Sequence, residues 1–146
     1  MATTIVESDL TTQLGQGNPN AGLRVAKAIY SFATDGGVQG LITPKRTASL
    51  PKNAVIVAGT INSTTPVTSS GSGTLAVGTS AGSSATAILG ATAKATLSAN
   101  ALVNAVPVFA TPVKLSAAGN ITVTVGTADL TAGVVEITLF YFVANA

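Results

Sequence analysis

The sequence predicts an all-β protein: an antiparallel, jelly-roll-like β-sandwich or barrel with an extended N-terminal arm. Three observations predict it. Of 146 residues, 22 are Thr and 25 Ala, while only 8% are charged. Helices facing solvent normally carry Lys, Glu, Gln and Arg, whereas β-branched, polar-neutral side chains suit a pleated surface. Near the C-terminus apolar residues recur at every second position, the period of a strand with one buried face. Turn residues punctuate the rest at short spacing, giving roughly eight to ten short strands, the pattern of a two-sheet sandwich or barrel.

The length accommodates one core and hardly two. The longest apolar stretch, Ile137 to Val143, is interrupted at Thr138 and falls well short of the roughly 20 residues of a bilayer-crossing helix, so no membrane partner is expected. With 47% hydrophobic residues the chain is too apolar for a disordered one. No basic segment followed by an apolar one opens it, so nothing reads as a secretory signal and synthesis in a cytoplasm is expected.

Residues 1–22 are polar, with isolated apolar residues at Ile5, Val6, Leu10 and Leu14. They read as an arm, frayed or laid across another surface, because so few apolar groups do not offset the entropy of ordering. Residues 23–146 form the sandwich domain. From Leu23 to Ala33, Leu23, Val25 and Lys27 stand on one parity and Ala26, Ala28, Tyr30 and Phe32 on the other. Asp35, Gly36 and Gly37 supply a tight turn into Val38 to Ile42, a first hairpin.

Pro44 and Pro51 bracket a basic loop. Ala54 to Ile61 is a β-branched run, with Val55 and Val57 on one face and Gly59 and Asn62 as boundaries. Asn62 to Gly73, nearly all Ser, Thr, Gly and Pro, reads as a loop or a polar edge hairpin. Gly73 to Val77 resumes a strand that Gly78 stops. Ser83 to Ala105 stays open between an Ala-rich helix and short strands. Pro107 and Pro112 confine Val106 to Leu115 to sheet edges.

Asn120 to Val125 and Val134 to Val143 read as two strands of a hairpin turning at Asp129 and Gly133. Ile121, Val123 and Val125 share one face, Thr122 and Thr124 the other. On the second strand Val135, Ile137, Leu139, Tyr141 and Val143 form an apolar core face. The opposite face starts with Glu136 and Thr138 and ends with Phe140 and Phe142. Two aromatics on a wet face need a cover, either a segment of the same chain or another subunit.

Chemistry is sparsely represented. Without Cys or His there is no thiolate, no imidazole base and none of the usual zinc, haem or iron–sulfur ligands. A Ser or Thr nucleophile would have only Lys94, Lys114 and five scattered carboxylates as bases, none in a recognisable motif. Asp129 and Glu136 are the one nearby carboxylate pair in the second half, but Asp129 suits a turn and Glu136 a solvated face beside Thr122 and Thr124. Gly15, Gly17 and Gly22 lack dinucleotide-fold spacing, and no phosphate-loop motif occurs. Lys45, Arg46 and Lys52 lie close together without an interleaved aromatic, so specific nucleic-acid binding is not expected. No catalytic residue, cofactor or metal is expected, and the chain is read as a non-enzyme.

Leu50 to Ile56 (Leu-Pro-Lys-Asn-Ala-Val-Ile), Gly71 to Thr79 (Gly-Ser-Gly-Thr-Leu-Ala-Val-Gly-Thr) and Leu130 to Gly133 (Leu-Thr-Ala-Gly) with the β-branched strand ending in Tyr141 occur in an order that resembles small β-sandwich virion proteins of tailed bacteriophages. Among these it is most like head decoration, or cement, proteins. The similarity runs from Leu23 to Val143. It implies a non-enzymatic component of the capsid surface that binds the major capsid protein or other virion subunits and forms homo-oligomers, trimers among them. The candidate protein interface is Phe140 and Phe142 with Ile5, Leu10 and Leu14 of the arm. The alternative is a receptor- or glycan-binding head of a tail fibre or adhesin, since sandwiches present variable loops at their ends.

Overall fold

The structure, a computed structural model, describes residues 22–81 and 85–144. Two antiparallel sheets pack face to face. The six-stranded sheet runs β3 (Arg46–Thr47), β1 (Arg24–Ser31), β11 (Leu130–Val143), β5 (Ala54–Ser69), β8 (Ala101–Asn104), with β9 (Val113–Lys114) also on β5. The five-stranded sheet runs β2 (Gly40–Ile42), β10 (Gly119–Gly126), β6 (Thr74–Thr79), β7 (Leu89–Ala93), with β4 (Ser49–Leu50) also on β10. A single turn of helix, α1 (Phe32–Asp35), follows β1, and a 3-10 turn occupies Lys94–Leu97. The expected all-β antiparallel sandwich is what forms.

Alternation places the core. Ala26, Ala28 and Tyr30 of β1, Ile56 and Ile61 of β5, and Val135, Ile137 and Leu139 of β11 are buried. They pack against Leu75 and Val77 of β6 and Ile121, Val123 and Val125 of β10. Each such large aliphatic side chain taken from water contributes about 1.5–3 kcal/mol. Leu50, Ile88, Leu97 and Leu115, all buried, complete the core.

Both expected hairpins are instead crossings between sheets. β10 pairs with β6, β2 and β4, while β11 pairs with β1 and β5. The apolar faces of β10 and β11 meet across the core rather than lying side by side, so the chain between them arches over the end of the sandwich. Thr127 takes φ +67° in that arch, and β11 starts at Leu130, earlier than expected. Likewise β2 joins β10, not β1. The Asp35 carboxylate fixes this second crossing, accepting from Ser31 N and Lys45 N, both at 2.9 Å.

β5 continues through the Thr-rich stretch read as a loop or edge hairpin, because residues 54–69 pair with β11 along its whole length. Gly59 does not end it. A Cβ there would lie 2.7 Å from Leu139 Cδ2 and 2.8 Å from the Thr138 carbonyl oxygen, so the missing side chain makes room for a core leucine. A bulge at Val57 breaks the simple alternation with Val55: Ile56 pairs with Tyr141 and Ala58 with Phe140. Gly78 does not stop β6 either, since Thr122↔Gly78 and Ile121↔Thr79 extend the ladder. The ambiguous middle resolves into β7, the 3-10 turn and β8. Buried Ser63 Oγ, 3.0 Å from the Leu97 carbonyl, tethers that turn to β5. The proline-flanked segment yields only the edge strand β9 and a Val108↔Thr111 bridge.

Candidate functional site

The outward face of the six-stranded sheet carries an apolar surface feature. Pairing register puts Val25, Phe140 and Ala58 in one row, Lys27, Thr138, Thr60 and Asn104 in the next, then Ile29, Glu136, Asn62 and Leu102. At the end where β1 begins, Phe142, Val55 and Lys114 form a further row. Leu23 and Val25 are more than half exposed, at 56% and 55%; Phe142 is 38% exposed and Phe140 half-buried. An apolar cluster of Leu23, Val25, Phe140 and Phe142 therefore lies on Val55 and Ala58, with a polar band beside it.

Phe140 and Phe142 thus stand together where alternation places them. Ile5, Leu10 and Leu14 lie outside the described residues. Glu136 shares this outward face with Lys27, which donates to its Oε1 at 3.3 Å. It does not lie beside Thr122 and Thr124, because those belong to the five-stranded sheet; both of their hydroxyl oxygens are buried without a partner. Asp129 is a turn residue, accepting from Gln39 N at 2.9 Å, so the two carboxylates serve different partners. Lys45, Arg46 and Lys52 are exposed on separate elements: Arg46 opposite Ile29, Lys45 and Lys52 in turns. Among the described residues no three His, Cys, Asp or Glu side chains cluster as a metal site would require.

Sequence reasoning missed Phe109. It sits at the tip of the turn closed by Thr111 N donating to the Val108 carbonyl at 3.0 Å, and it is 73% exposed. The signal was available in the two prolines that bracket the turn, since a rigid exposed turn leaves its central side chain no core to enter.

Among the described residues one ionisable group is strongly perturbed. The Tyr30 phenol is pushed up to about 12, first by burial and then by the nearby Asp35 carboxylate. Its hydroxyl donates to the Gly36 carbonyl at 2.7 Å, which fastens α1 to β1.

No protein-family model matches the sequence, and no curated protein matches it. Solved structures do match the fold. The chain is similar to one in the acidic stable capsid structure of Helicobacter pylori bacteriophage KHP30, with TM-score 0.59 and 13% identity over 84% of this chain and 89% of that one. It is similar to a chain in the cyanophage Pam1 capsid asymmetric unit, with TM-score 0.59 and 15% identity over 84% and 85%. A chain in the capsid of Ralstonia phage GP4 gives TM-score 0.58 and 19% identity over 84% and 86%. At these identities the shared property is the sandwich itself, which spans most of each chain.

Proposed function

We propose that the protein is a structural subunit of a bacteriophage particle, acting as a decoration or cement protein on the capsid surface. The observation that carries this reading is the likeness of its sandwich to chains of three phage capsid structures, each covered by more than four fifths. The low charge and the absence of Cys and His agree with a part that works by fitting against other proteins. Its partners are the major capsid protein or other virion subunits. Homo-oligomers, trimers included, suit such a lattice.

The mechanism is thermodynamic. A subunit that binds only the assembled shell stabilises that state by mass action, by about 2.7 kcal/mol when its free concentration is 100 times Kd. The apolar cluster at Phe140 and Phe142 supplies the aromatic anchors that contacts of this kind favour. Ile5, Leu10 and Leu14 add apolar contacts from the arm.

The test is cosedimentation of purified protein with shells that lack it, followed by heating of both kinds of shell. Binding with a raised shell-disruption temperature is expected; no binding and equal heat resistance would end the proposal. A second reading, a glycan-binding head, is favoured by the exposed Phe109, because sugar sites stack a ring on an accessible aromatic. A glycan array with signals abolished by Phe109→Ala would establish it in place of the first.

A further inference from the structure

The apolar cluster lies where the described chain begins. Gly22 and Leu23 lead directly into β1, whose first residue, Arg24, pairs with Tyr141, the neighbour of Phe142. Beside it the backbone of β1 is incompletely used. β3 pairs with β1 only at Ala28 and Ile29, and the Lys27 carbonyl accepts from Ala48 N at 2.8 Å. Backbone groups of alternate residues point the same way in an antiparallel strand. Val25 therefore directs its N–H and C=O away from β11, toward an edge that no strand of the described residues covers.

Charge is divided unevenly along the chain. All seven Lys and Arg lie at Arg24 or beyond, whereas two of the five acids, Glu7 and Asp9, precede it. Residues 1–21 thus carry two acidic side chains and no basic one, and the remainder carries seven bases against three acids. On the outward face of the six-stranded sheet, Lys27, Arg46 and Lys114 have only Glu136 among them. The acids of the first segment are interspersed with Ile5, Val6, Leu10 and Leu14.

We propose that residues 5–14 of this chain cover the Leu23, Val25, Phe140 and Phe142 cluster of the same molecule in the free protein. The thirteen residues from Leu10 to Gly22 reach about 40 Å when extended, longer than the roughly 26 Å of an eight-residue strand. Asn18-Pro19-Asn20-Ala21-Gly22 is of turn-forming composition, and Gly22 takes φ +84°. Attachment to the same chain sets an effective concentration in the millimolar range, which favours this contact over one between molecules. The partner is thus an acidic segment with interspersed apolar residues, and its targets are apolar side chains, an open backbone edge and surrounding basic side chains. This holds for the free chain whatever particle it joins.

The chain has no Cys, so an engineered pair reports cleanly. Full-length Leu10→Cys with Val25→Cys should oxidise to a disulfide within one molecule, with a yield independent of protein concentration. Leu10→Cys with Leu41→Cys, whose second site is exposed on the five-stranded sheet, should give at least tenfold less. Adding Glu7→Lys and Asp9→Lys to the first pair should lower its yield severalfold. Cross-linking that is mainly intermolecular and rises with concentration would overturn the proposal in favour of exchange between copies. Equal yields from the two pairs would overturn it in favour of an undocked segment. Circular dichroism of each variant separates these outcomes from misfolding, and shell cosedimentation reads the virion proposal independently.

Discussion

Asp129 accepts a hydrogen bond at 2.9 Å from the backbone N–H of Gln39, ninety residues earlier in the chain. The bond joins the loop leading into β2 to the arch between β10 and β11, and a second one, Leu130 N to the Gly37 carbonyl at 2.8 Å, lies beside it. Both connections cross between sheets at the same end of the sandwich, and each holds the other in place.

Asp129→Ala should therefore destabilise the fold by about 1–2 kcal/mol, the range for a charge-assisted bond that is partly solvated. Asp129→Asn should lose less, because its carbonyl oxygen still accepts. Urea titration checks both, and an unchanged midpoint for the alanine variant would show that the crossing is held by other contacts.

The Tyr30 phenol carries a pH dependence of definite sign. Its pKa is raised from 10.0 to about 12 in the folded chain, so between these values the unfolded state loses the proton first. Stability is fully present below pH 10 and falls as pH rises toward 12. Tyr30→Phe should remove that alkaline slope while costing about 1 kcal/mol at neutral pH for the lost bond to Gly36. Chemical denaturation at pH 8 and pH 11 distinguishes the two effects.

Gly59→Ala should cost about 2–3 kcal/mol, because its Cβ would lie 2.7 Å from a buried Leu139 methyl and 2.8 Å from backbone. Combining it with Leu139→Ala should be less costly than the two losses added, since the second change removes the clash. A double-mutant cycle measures this coupling, and strict additivity would contradict it.

Thr122→Val should be neutral or stabilising by up to about 1 kcal/mol, since it replaces a buried hydroxyl without a partner by a methyl of similar size. A loss exceeding 1 kcal/mol in thermal melts would show that the hydroxyl has a partner, a bound water for instance.

On the surface, Phe140→Ser with Phe142→Ser should weaken shell binding at least tenfold with little loss of fold stability, because Phe142 is partly exposed and Phe140 half-buried. Collapse of the isolated protein with binding per folded molecule unchanged would assign the rings to the core instead.

The faces of the strands were legible in the sequence and their partners were not. Val135, Ile137 and Leu139 are buried and Phe142 is exposed, as alternation alone dictates, because parity is a local property. Whether Ala128 to Gly133 closes a hairpin or arches between sheets depends on residues as distant as Gly37 and Gln39. The same turn chemistry serves either arrangement. Gly59 and Gly78 look, in one dimension, like strand ends, yet Gly59 lies against the core side chain of Leu139 and Gly78 pairs with Thr122 inside the ladder. The aromatic pair was found through its parity, whereas Phe109 had no periodic neighbour to mark it.

β11 lies between β1 and β5, in register with β1 from Arg24↔Tyr141 to Ser31↔Val134, yet it is the last of the described strands to be translated. While it is still within the ribosome, the flanking strands have no central partner, and their core-facing residues stay wet. The six-stranded sheet therefore waits on β11, folds slowly by the measure of contact order, and is exposed to aggregation until it completes.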